Sequence, residues 1–279
     1  MIRGTTQLIA HIGVPTDGFI APMIYNPYFE QAGIDAVVVP MGSRREDFPQ
    51  FLKLLFRLTN IRGALITMPH KVAVVGLVDE ISSTAKVAGS CNAVKLDANG
   101  KLVGDIFDGE GFVRGVLRKG RELLGARTLV VGTGGVGSAI AASLAKAGVA
   151  EISIFDQNFE AMAALSKRLR DNYPDLKVTT GSNDPSVHDL VVNATPLGMN
   201  EGDALPMDVS RLDPTTLVGE VVMKQEITPF LAAARARGCT IQIGTDMLFE
   251  QIPAYLEFFG FPTTTADELR RVARIDRRQ

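Results

Sequence analysis

A glycine-rich turn between an apolar run and an alanine-rich segment is the clearest chemical signal in the sequence. The run Thr128–Ser138 reads TLVVGTGGVGS and sets Gly132, Gly134 and Gly137 in the spacing G-x-G-x-x-G. In this pattern the first glycine permits a tight turn, the second lets the backbone approach a pyrophosphate, and the third lets a helix pack closely on a strand. The turn therefore predicts a dinucleotide site. Its remaining members are Thr133, Gly135 and Val136.

An acidic residue follows the turn at the spacing expected for ribose binding. The segment Ile140–Ala147 predicts a helix that Gly148 closes, and Glu151–Asp156 predicts a second strand that ends on Asp156. An acidic side chain at this place accepts hydrogen bonds from the adenosine ribose hydroxyls. Strand, turn, helix, strand and acid in one unit favour a nucleotide site over a purely structural crossover.

Composition excludes several classes of protein. The chain has 279 residues, 46% of them hydrophobic, which suits about two globular domains. A net charge of −2 provides no basic field for nucleic acid or an anionic membrane. Two cysteines are too few for a disulfide framework, and the sequence contains no secretory core, membrane-length apolar run or metal-ligand spacing. A cytoplasmic protein without a metal is the expectation.

The order of elements predicts an α/β protein with two domains and a returning C-terminal segment. We expect a substrate domain over residues 1–111, a Rossmann-type doubly wound parallel sheet over 112–245, and helices over 246–279 that pack back on the first domain. The predicted strands are Leu8–Ile12, Ala36–Pro40, Gly63–Thr67, Lys177–Thr180, Leu190–Ala194, Leu217–Val222 and Thr240–Ile243, with a hairpin around Asp97–Gly100. The predicted helices are Phe48–Leu58, Phe112–Leu124, Glu160–Leu169 and Pro229–Ala236.

Seven motifs in order make the chain resemble the shikimate and quinate dehydrogenase family. The resemblance implies an N-terminal substrate domain and a Rossmann cofactor domain that together oxidise a secondary alcohol, or reduce a ketone, with a nicotinamide cofactor. The motifs are Met68–Lys71, Cys91–Val94, Asp105–Phe112, the glycine turn, Asn193–Met199, Thr228–Pro229 and Gly244–Gln251.

Lys71 and Asp108 match the catalytic pair of that family. Hydride transfer at a carbinol carbon develops charge on its oxygen, so a proton must also move. A lysine ammonium can supply that proton or stabilise the alkoxide, while a carboxylate orients the lysine and the substrate hydroxyl. The sequence leaves open whether Lys71 is a proton-transferring base or an electrostatic anchor, because a neighbouring carboxylate raises a lysine pKa and burial lowers it.

The resemblance also assigns residues to substrate and cofactor. Thr67, Asn92 and Gln251 match residues that bind substrate hydroxyls, although for Thr67 and Asn92 turn capping is an equal alternative. The motif that follows the strand Leu190–Ala194 is assigned to the nicotinamide side of the cofactor. The residues assigned there are Asn193, Ala194, Thr195, Pro196, Val221 and Gly244.

The chain departs from the family pattern on the side that recognises the substrate acid. Phe19 and Ala21 stand where the family carries two serines, and Met223 stands where it carries a tyrosine. Apolar groups thus replace hydroxyl donors, whereas the lysine and the aspartate remain. The pattern predicts that the chemistry is kept and that the substrate is changed.

We therefore expect a nicotinamide-dependent dehydrogenase of a polyhydroxylated or cyclic alcohol with an altered carboxylate clamp. One alternative is an ordinary shikimate or quinate dehydrogenase in which other donors, such as Thr16 or Tyr25, hold the acid. Another is a sensing module that binds a metabolite or dinucleotide without turnover. NAD is expected over NADP, because Asp156-Gln-Asn replaces the arginine-bearing run typical of NADP enzymes. The expected partner is a small-molecule substrate, and the chain is expected to be either a monomer or a homodimer.

Overall fold

The chain, described here by a computed structural model over residues 2–275, divides into two compact units. Residues 2–85, 90–107 and 252–275 form the first unit, and residues 86–89 and 108–251 form the second. The divisions fall after residues 107 and 251, whereas the sequence pattern had suggested 111 and 245. Residues 276–279 of the expected C-terminal segment lie outside the described residues. No helix in the described range is long and apolar enough to cross a membrane.

The first unit is built on a mixed six-stranded sheet of order β2-β1-β3-β5-β6-β4. Strand β1 pairs in parallel with both β2 and β3, and such a central strand is apolar along most of its length. The strands of this sheet are β1 (Gln7–Gly13), β2 (Ala36–Gly42), β3 (Ile61–Ile66), β4 (Glu80–Ile81), β5 (Ala93–Leu96) and β6 (Leu102–Asp105). The nearby helices are α1 (Pro22–Gln31), α2 (Phe48–Leu55) and α3 (Ser83–Ala88), with a 3-10 turn over Ala73–Leu77 and helix α9 (Ala266–Val272) near the end of the chain.

The core of this unit lies between β1, β3 and α2. Ala10 and Ile12 are fully buried in one cluster with Phe48 and Leu52, which occupy the apolar face of α2. Since side chains alternate along a strand, His11 and Gly13 face the other side of the sheet. The predicted hairpin is confirmed, because β5 and β6 pair antiparallel around a turn that Asp97 closes by accepting from two backbone N–H groups.

The second unit is a doubly wound sheet whose six strands are all parallel, in the order β12-β11-β10-β7-β8-β9. The chain runs outward from β7 in one direction and from β10 in the other, so the topological switch lies between these two strands. Ligands of doubly wound folds bind at this point, outside the carboxyl ends of the strands. The strands are β7 (Arg127–Val131), β8 (Glu151–Phe155), β9 (Lys177–Thr180), β10 (Leu190–Asn193), β11 (Leu217–Glu220) and β12 (Thr240–Gln242). The helices are α4 (Asp108–Arg118), α5 (Gly135–Lys146), α6 (Phe159–Asn172) and α7 (Pro229–Ala236), with a 3-10 turn over Val209–Arg211. Helix α8 (Gly244–Phe259) begins in this unit, and its residues from 252 onward belong to the first unit.

Two helices begin earlier than their sequence patterns predict. Helix α4 starts at Asp108 instead of Phe112, and α5 starts at Gly135 instead of Ile140. Glycine has a low helix propensity, so a periodicity argument passes over the glycine-rich first turn of each helix. Gly109 of α4 and Gly137 of α5 lie directly against neighbouring backbone, and that packing outweighs the propensity. Helix α4 also ends earlier than predicted, at Arg118, shortly before Gly120 with its positive φ of 77°.

The glycine turn provides a matched test of packing. A Cβ at Gly137 would lie 2.0 Å from the carbonyl oxygen of Gly132, whereas a Cβ at Gly134 would meet no atom within 4 Å. We expect Gly137→Ala to lower the free energy of unfolding by about 1–3 kcal/mol, as overpacking usually does. Gly134→Ala should change it by less than about 0.5 kcal/mol. Thermal and urea unfolding of both variants would measure this difference, and equal stabilities would contradict the packing argument.

Candidate functional site

The first unit gathers several predicted substrate residues at the carboxyl ends of β1 and β3. Thr67 directly follows β3, and its backbone N–H donates to Ile12 O at 2.9 Å. Its Cγ2 would lie 2.4 Å from a Cβ placed on Gly13, so only glycine allows the two chains to come this close. The parallel pairing therefore sets Thr67 beside the end of β1.

The backbone of Lys71 is hydrogen-bonded to the residue that precedes Asn92, in the same unit. The carbonyl of Lys71 accepts from the backbone N–H of Cys91 at 2.8 Å. Asn92 is fully buried, and its Oδ1 accepts from Phe107 N at 3.0 Å. Its Nδ2 is buried without a hydrogen-bond partner in the protein. Turn capping thus accounts for only half of the Asn92 amide, and the other half is an orphan donor of the kind that native proteins rarely leave unused.

Phe19 and Ala21, the residues at the altered clamp, are both packed against protein. The Phe19 ring stacks on the imidazole of His11, with centroids 4.0 Å apart and planes at 27°. Ala21 is buried at the start of α1, where its carbonyl accepts from Ile24 and Tyr25. Tyr25, an alternative donor for a substrate acid, is buried with an unpartnered hydroxyl, and burial raises its pKa well above the usual value.

Three other predicted residues belong to the second unit. Asp108 is the buried first residue of α4, where a carboxylate interacts favourably with the helix dipole. Gln251 is buried on α8 with Oε1 unpartnered, and a Cβ on Gly111 would lie 2.7 Å from its Cβ. Met223 follows β11 with 41% of its surface exposed.

The glycine turn has the geometry of a backbone cradle at the switch between β7 and β10. Gly132 has a φ of 103°, and a Cβ there would lie 2.7 Å from the carbonyl of Ala194 on the neighbouring loop. Gly134 is the N-cap of α5 and leaves open space on its Cβ side. The N-terminal N–H groups of α5 therefore follow a loop that is open at Gly134, which is the arrangement that binds phosphate.

Asp156 is tied to the glycine turn by hydrogen bonds. Its Oδ2 accepts from Thr133 N at 2.5 Å and from Thr133 Oγ1 at 2.9 Å, while Oδ1 accepts from Asn158 N at 2.8 Å. Burial raises the pKa of Asp156, but these hydrogen bonds outweigh burial and leave the pKa below the usual value. The carboxylate is thus ionised and held at the end of β8, where the backbone of Gln157 donates a further hydrogen bond to it.

The loop after β10 is ordered by its own side chains. Asn193 is fully buried, and its Oδ1 accepts from Thr195 N and Oγ1, while its Nδ2 donates to Leu197 O. Val221 N donates to Asn193 O on the adjacent strand at 3.2 Å. A Cβ on Gly244 would lie 2.1 Å from Val222 O, so α8 begins in direct backbone contact with the loop after β11.

Glu220 is a functional candidate that the sequence analysis missed. It ends β11, is fully buried and pairs in register with Asn193. Its Oε2 accepts from Thr228 Oγ1, the N-cap of α7, and its Oε1 has no partner. Burial raises the pKa of Glu220 to about 7, against which hydrogen bonds from Thr228 and Asn193 act. An acid that closes an apolar strand is the one signal that could have indicated it.

Other reactive side chains have structural explanations. Burial raises the pKa of Cys91 to about 12, so the thiol is not a nucleophile at neutral pH. His70 packs on Phe48 and contacts Ser43 O with its Nε2 at 2.9 Å. Within residues 2–275 no cluster of potential ligands could hold a metal ion.

Family models match both units. Residues 12–94 match the shikimate dehydrogenase substrate binding domain, and residues 114–159 match the ThiF family. The shikimate dehydrogenase (NADP(+)) of Desulforamulus reducens is 33% identical over 97% of this chain and 96% of its own length. The shikimate dehydrogenase (NADP(+)) of Rubrobacter xylanophilus is 34% identical over 90% of this chain and 89% of its own length. The chain belongs to the shikimate dehydrogenase family. It is an oxidoreductase that acts on a CH–OH group.

Solved structures share the whole fold of this family member. A shikimate 5-dehydrogenase of Listeria monocytogenes, in complex with shikimate and NAD, has a TM-score of 0.90 at 27% identity, with 97% of each chain covered. A 5-ketofructose reductase of a Gluconobacter species gives 0.86 at 26%, covering 96% of this chain and 98% of that one. A quinate dehydrogenase of Corynebacterium glutamicum, with NAD, gives 0.86 at 29%, covering 96% and 98%.

The buried carboxyl group of Glu220 predicts a pH dependence of stability. Its pKa is raised from 4.5 to about 7, so the folded protein keeps a proton that the unfolded chain releases between these values. The stabilising contribution is complete below pH 4.5 and is lost as the pH rises through 7. Urea unfolding between pH 5 and 8 should show this loss in the wild type and not in Glu220→Gln. Glu201→Gln, at an exposed position, is the control. Parallel pH profiles for wild type and Glu220→Gln would refute the assignment.

Proposed function

We propose that this chain is an NAD(P)-dependent dehydrogenase that interconverts an alcohol and a ketone of a cyclic hydroxy acid, of the shikimate or quinate type. The observation that carries the proposal is the buried, unpartnered Nδ2 of Asn92, a donor that a substrate hydroxyl would satisfy, in the unit that also holds Lys71. Relatives named shikimate and quinate dehydrogenase support this ordinary family reaction better than a changed substrate. The same relatives are enzymes, which disfavours a sensing module without turnover.

The dinucleotide cofactor fits the residues at the switch of the second sheet. A Cβ at Gly132 or Gly137 would collide with the backbone that shapes the cradle, and Gly134 leaves its side of the cradle open for a pyrophosphate. Gly135 and Val136 then supply N–H groups of the first turn of α5, and the ionised Asp156 is the acidic group proposed to face the ribose. The loop from Asn193 through Ala194 and Thr195 to Pro196, together with Val221 and Gly244, would contact the nicotinamide end. The cofactor, when bound, accepts or supplies a hydride.

Lys71 and Asp108 have complementary tasks in this proposal. In ketone reduction the ammonium of Lys71 gives a proton to the developing alkoxide, and in alcohol oxidation the resulting amine takes the proton of the hydroxyl. The carboxylate of Asp108 is the other member of the proposed catalytic pair, and the resemblance assigns Gln251 to a substrate hydroxyl. Thr67 and Asn92, in the same unit as Lys71, provide further polar atoms that hold hydroxyls of the substrate and fix its orientation.

Steady-state kinetics test the proposed reaction. We expect the protein to oxidise shikimate or quinate with NAD⁺ at a kcat/KM of about 10⁴ M⁻¹s⁻¹ or more, followed as NADH formation. Lys71→Ala should lower the rate by about 10²- to 10⁴-fold, as the loss of a positioned proton donor does. NADH affinity should be unchanged, because the glycine turn belongs to the second unit. The exposed Lys53→Ala is the control, and near wild-type turnover in Lys71→Ala would reject the assignment.

The preferred cofactor in this proposal is NAD, although the relatives cited above are named for NADP. The ionised Asp156 would repel a 2′-phosphate, and Gln157 follows it where an arginine would be needed. The next arginine along the chain, Arg168, donates to Val87 O and Ala88 O at 2.6 and 3.1 Å and is thereby engaged.

A substitution that removes the charge of Asp156 tests the preference for NAD over NADP. Asp156→Asn removes the negative charge and keeps one acceptor oxygen, which retains the hydrogen bonds from Thr133 and gives up the one from Asn158. We expect the ratio of kcat/KM for NAD to that for NADP to fall at least about tenfold, a change of about 1.4 kcal/mol in relative binding. Asp171→Asn, on the exposed surface of α6, is the matched control. A wild-type protein that uses NADP as well as NAD would overturn the preference.

A second candidate function, reduction of a polyhydroxylated ketone without a carboxylate, is favoured by the altered clamp. Phe19 and Ala21 offer no hydroxyl, and the Phe19 ring is stacked against His11. Loss of two donors to a carboxylate, each worth about 1.5–3 kcal/mol, could lower kcat/KM by about 10²- to 10⁴-fold. The likeness to a 5-ketofructose reductase is compatible with this function. In the kinetic assay above, inert shikimate and quinate with rapid reduction of 5-ketofructose would establish the second candidate over the first.

A further inference from the structure

His11 is a buried titratable side chain that neither proposed function uses. It lies in the middle of β1 with 9% of its surface exposed, between Ala10 and Ile12. Those two neighbours belong to the apolar core, so His11 projects from the opposite face of the sheet, the face of Gly13 and Thr67. An aliphatic residue would suit a central strand better, because a buried imidazole loses its hydration. We therefore expect a contact that compensates His11 for the lost hydration.

The surroundings of the ring determine its charge and its tautomer. Phe19 covers one face of the ring, and Nδ1 is buried with no hydrogen-bond partner. Burial, and then the positive charge of Lys71, lower the pKa of His11 to about 4, so the ring is neutral at pH 7. A neutral imidazole carries one N–H. A buried N–H without a partner is rarer than an unused acceptor, which assigns the proton to Nε2 and makes Nε2 the donor.

We propose that His11 is a specificity-determining residue whose Nε2–H donates a hydrogen bond to an acceptor oxygen of the substrate, with Phe19 fixing the plane of the ring. The proposal rests on the proposed function, because it takes the substrate to lie beside Lys71. It adds a third donor to the ammonium of Lys71 and the amide of Asn92. Three donors of this kind select a ligand rich in acceptor oxygens, whether carboxylate, carbonyl or hydroxyl.

Lys71 connects His11 to the reacting group. The positive charge of Lys71 is close enough to His11 to lower the pKa of the imidazole. His70, the residue before Lys71, donates its backbone N–H to the carbonyl of Thr67. Phe19 has a different task, since it presents no polar atom and contacts the ring face to face. A stacked aromatic pair loses less conformational freedom on binding than a pair of flexible side chains, so its donor is already oriented.

The decisive variant is His11→Phe, which keeps an aromatic ring against Phe19 and removes the donor. We expect KM for the best substrate to rise about tenfold, with kcat within about threefold of wild type and the Kd of NADH unchanged. His11→Gln, which retains a donor, should recover most of the affinity. His188→Phe is the matched control, since His188 also has an unpartnered, buried Nδ1 but contacts Ser153 in the second unit. It should leave KM unchanged.

A double-mutant cycle tests the role of Phe19. If the ring fixes the donor, Phe19→Leu should raise KM by itself, and His11→Phe should add little in its presence. Independent, additive effects would mean that the two rings do not act as a pair and would reject that part of the proposal. If His11→Phe raises the KM for shikimate and quinate but not for 5-ketofructose, the acceptor oxygen belongs to a carboxylate. If it raises the KM for 5-ketofructose alone, the acceptor is a hydroxyl or a carbonyl.

The result that overturns the proposal is a wild-type KM in a folded His11→Phe protein. Thermal unfolding monitors folding, and His11→Leu replaces the phenylalanine variant under the same criterion if the latter is unstable. Failure of the proposed function is separable, because it would show as full activity in Lys71→Ala. An inactive Lys71→Ala with an unaffected His11→Phe would reject only the role of His11.

Discussion

The second unit depends on a close approach of backbones at the carboxyl ends of β7 and β10. The loop after β7 turns at Gly132 with a positive φ, directly against the carbonyl of Ala194, and Gly137 in turn sits on the carbonyl of Gly132. No side chain larger than hydrogen is compatible with these contacts. The approach allows α5 to begin immediately behind the turn, and it sets the N–H groups of that helix at the switch point of the sheet. Asp156 then closes the arrangement through Thr133.

A similar constraint operates in the first unit. The parallel pairing of β1 with β3 requires Gly13 beside Thr67, and the next residues of the chain carry Lys71 to the neighbourhood of Asn92. Parallel strands end at the same edge, so residues distant in sequence meet there without any special local signal. The sheet thus determines which polar groups become neighbours, and the short loops after the strands determine their order.

Buried polar atoms without hydrogen-bond partners occur in both units, among them atoms of three candidate functional residues. His11, Asn92 and Glu220 each keep one such atom, although burial of an unpaired polar group costs free energy. Glu220 reduces this cost by holding a proton, and His11 reduces it by remaining neutral. Asn92 cannot titrate, so its orphan donor is the strongest structural indication of a ligand. Folding stability and ligand binding place opposite demands on these three residues.

The amino-acid sequence by itself determined the α/β class, the hairpin around Asp97–Gly100, the glycine turn and the family. These properties depend on local spacing and on short motifs, which the linear order preserves. Only the tertiary structure revealed that Phe19 stacks on His11, that Glu220 is buried beside Asn193, and that α4 and α5 begin at glycine-rich turns. Each of these depends on contacts between segments far apart in the chain, where packing outweighs local propensity and no periodicity in the sequence records the contact.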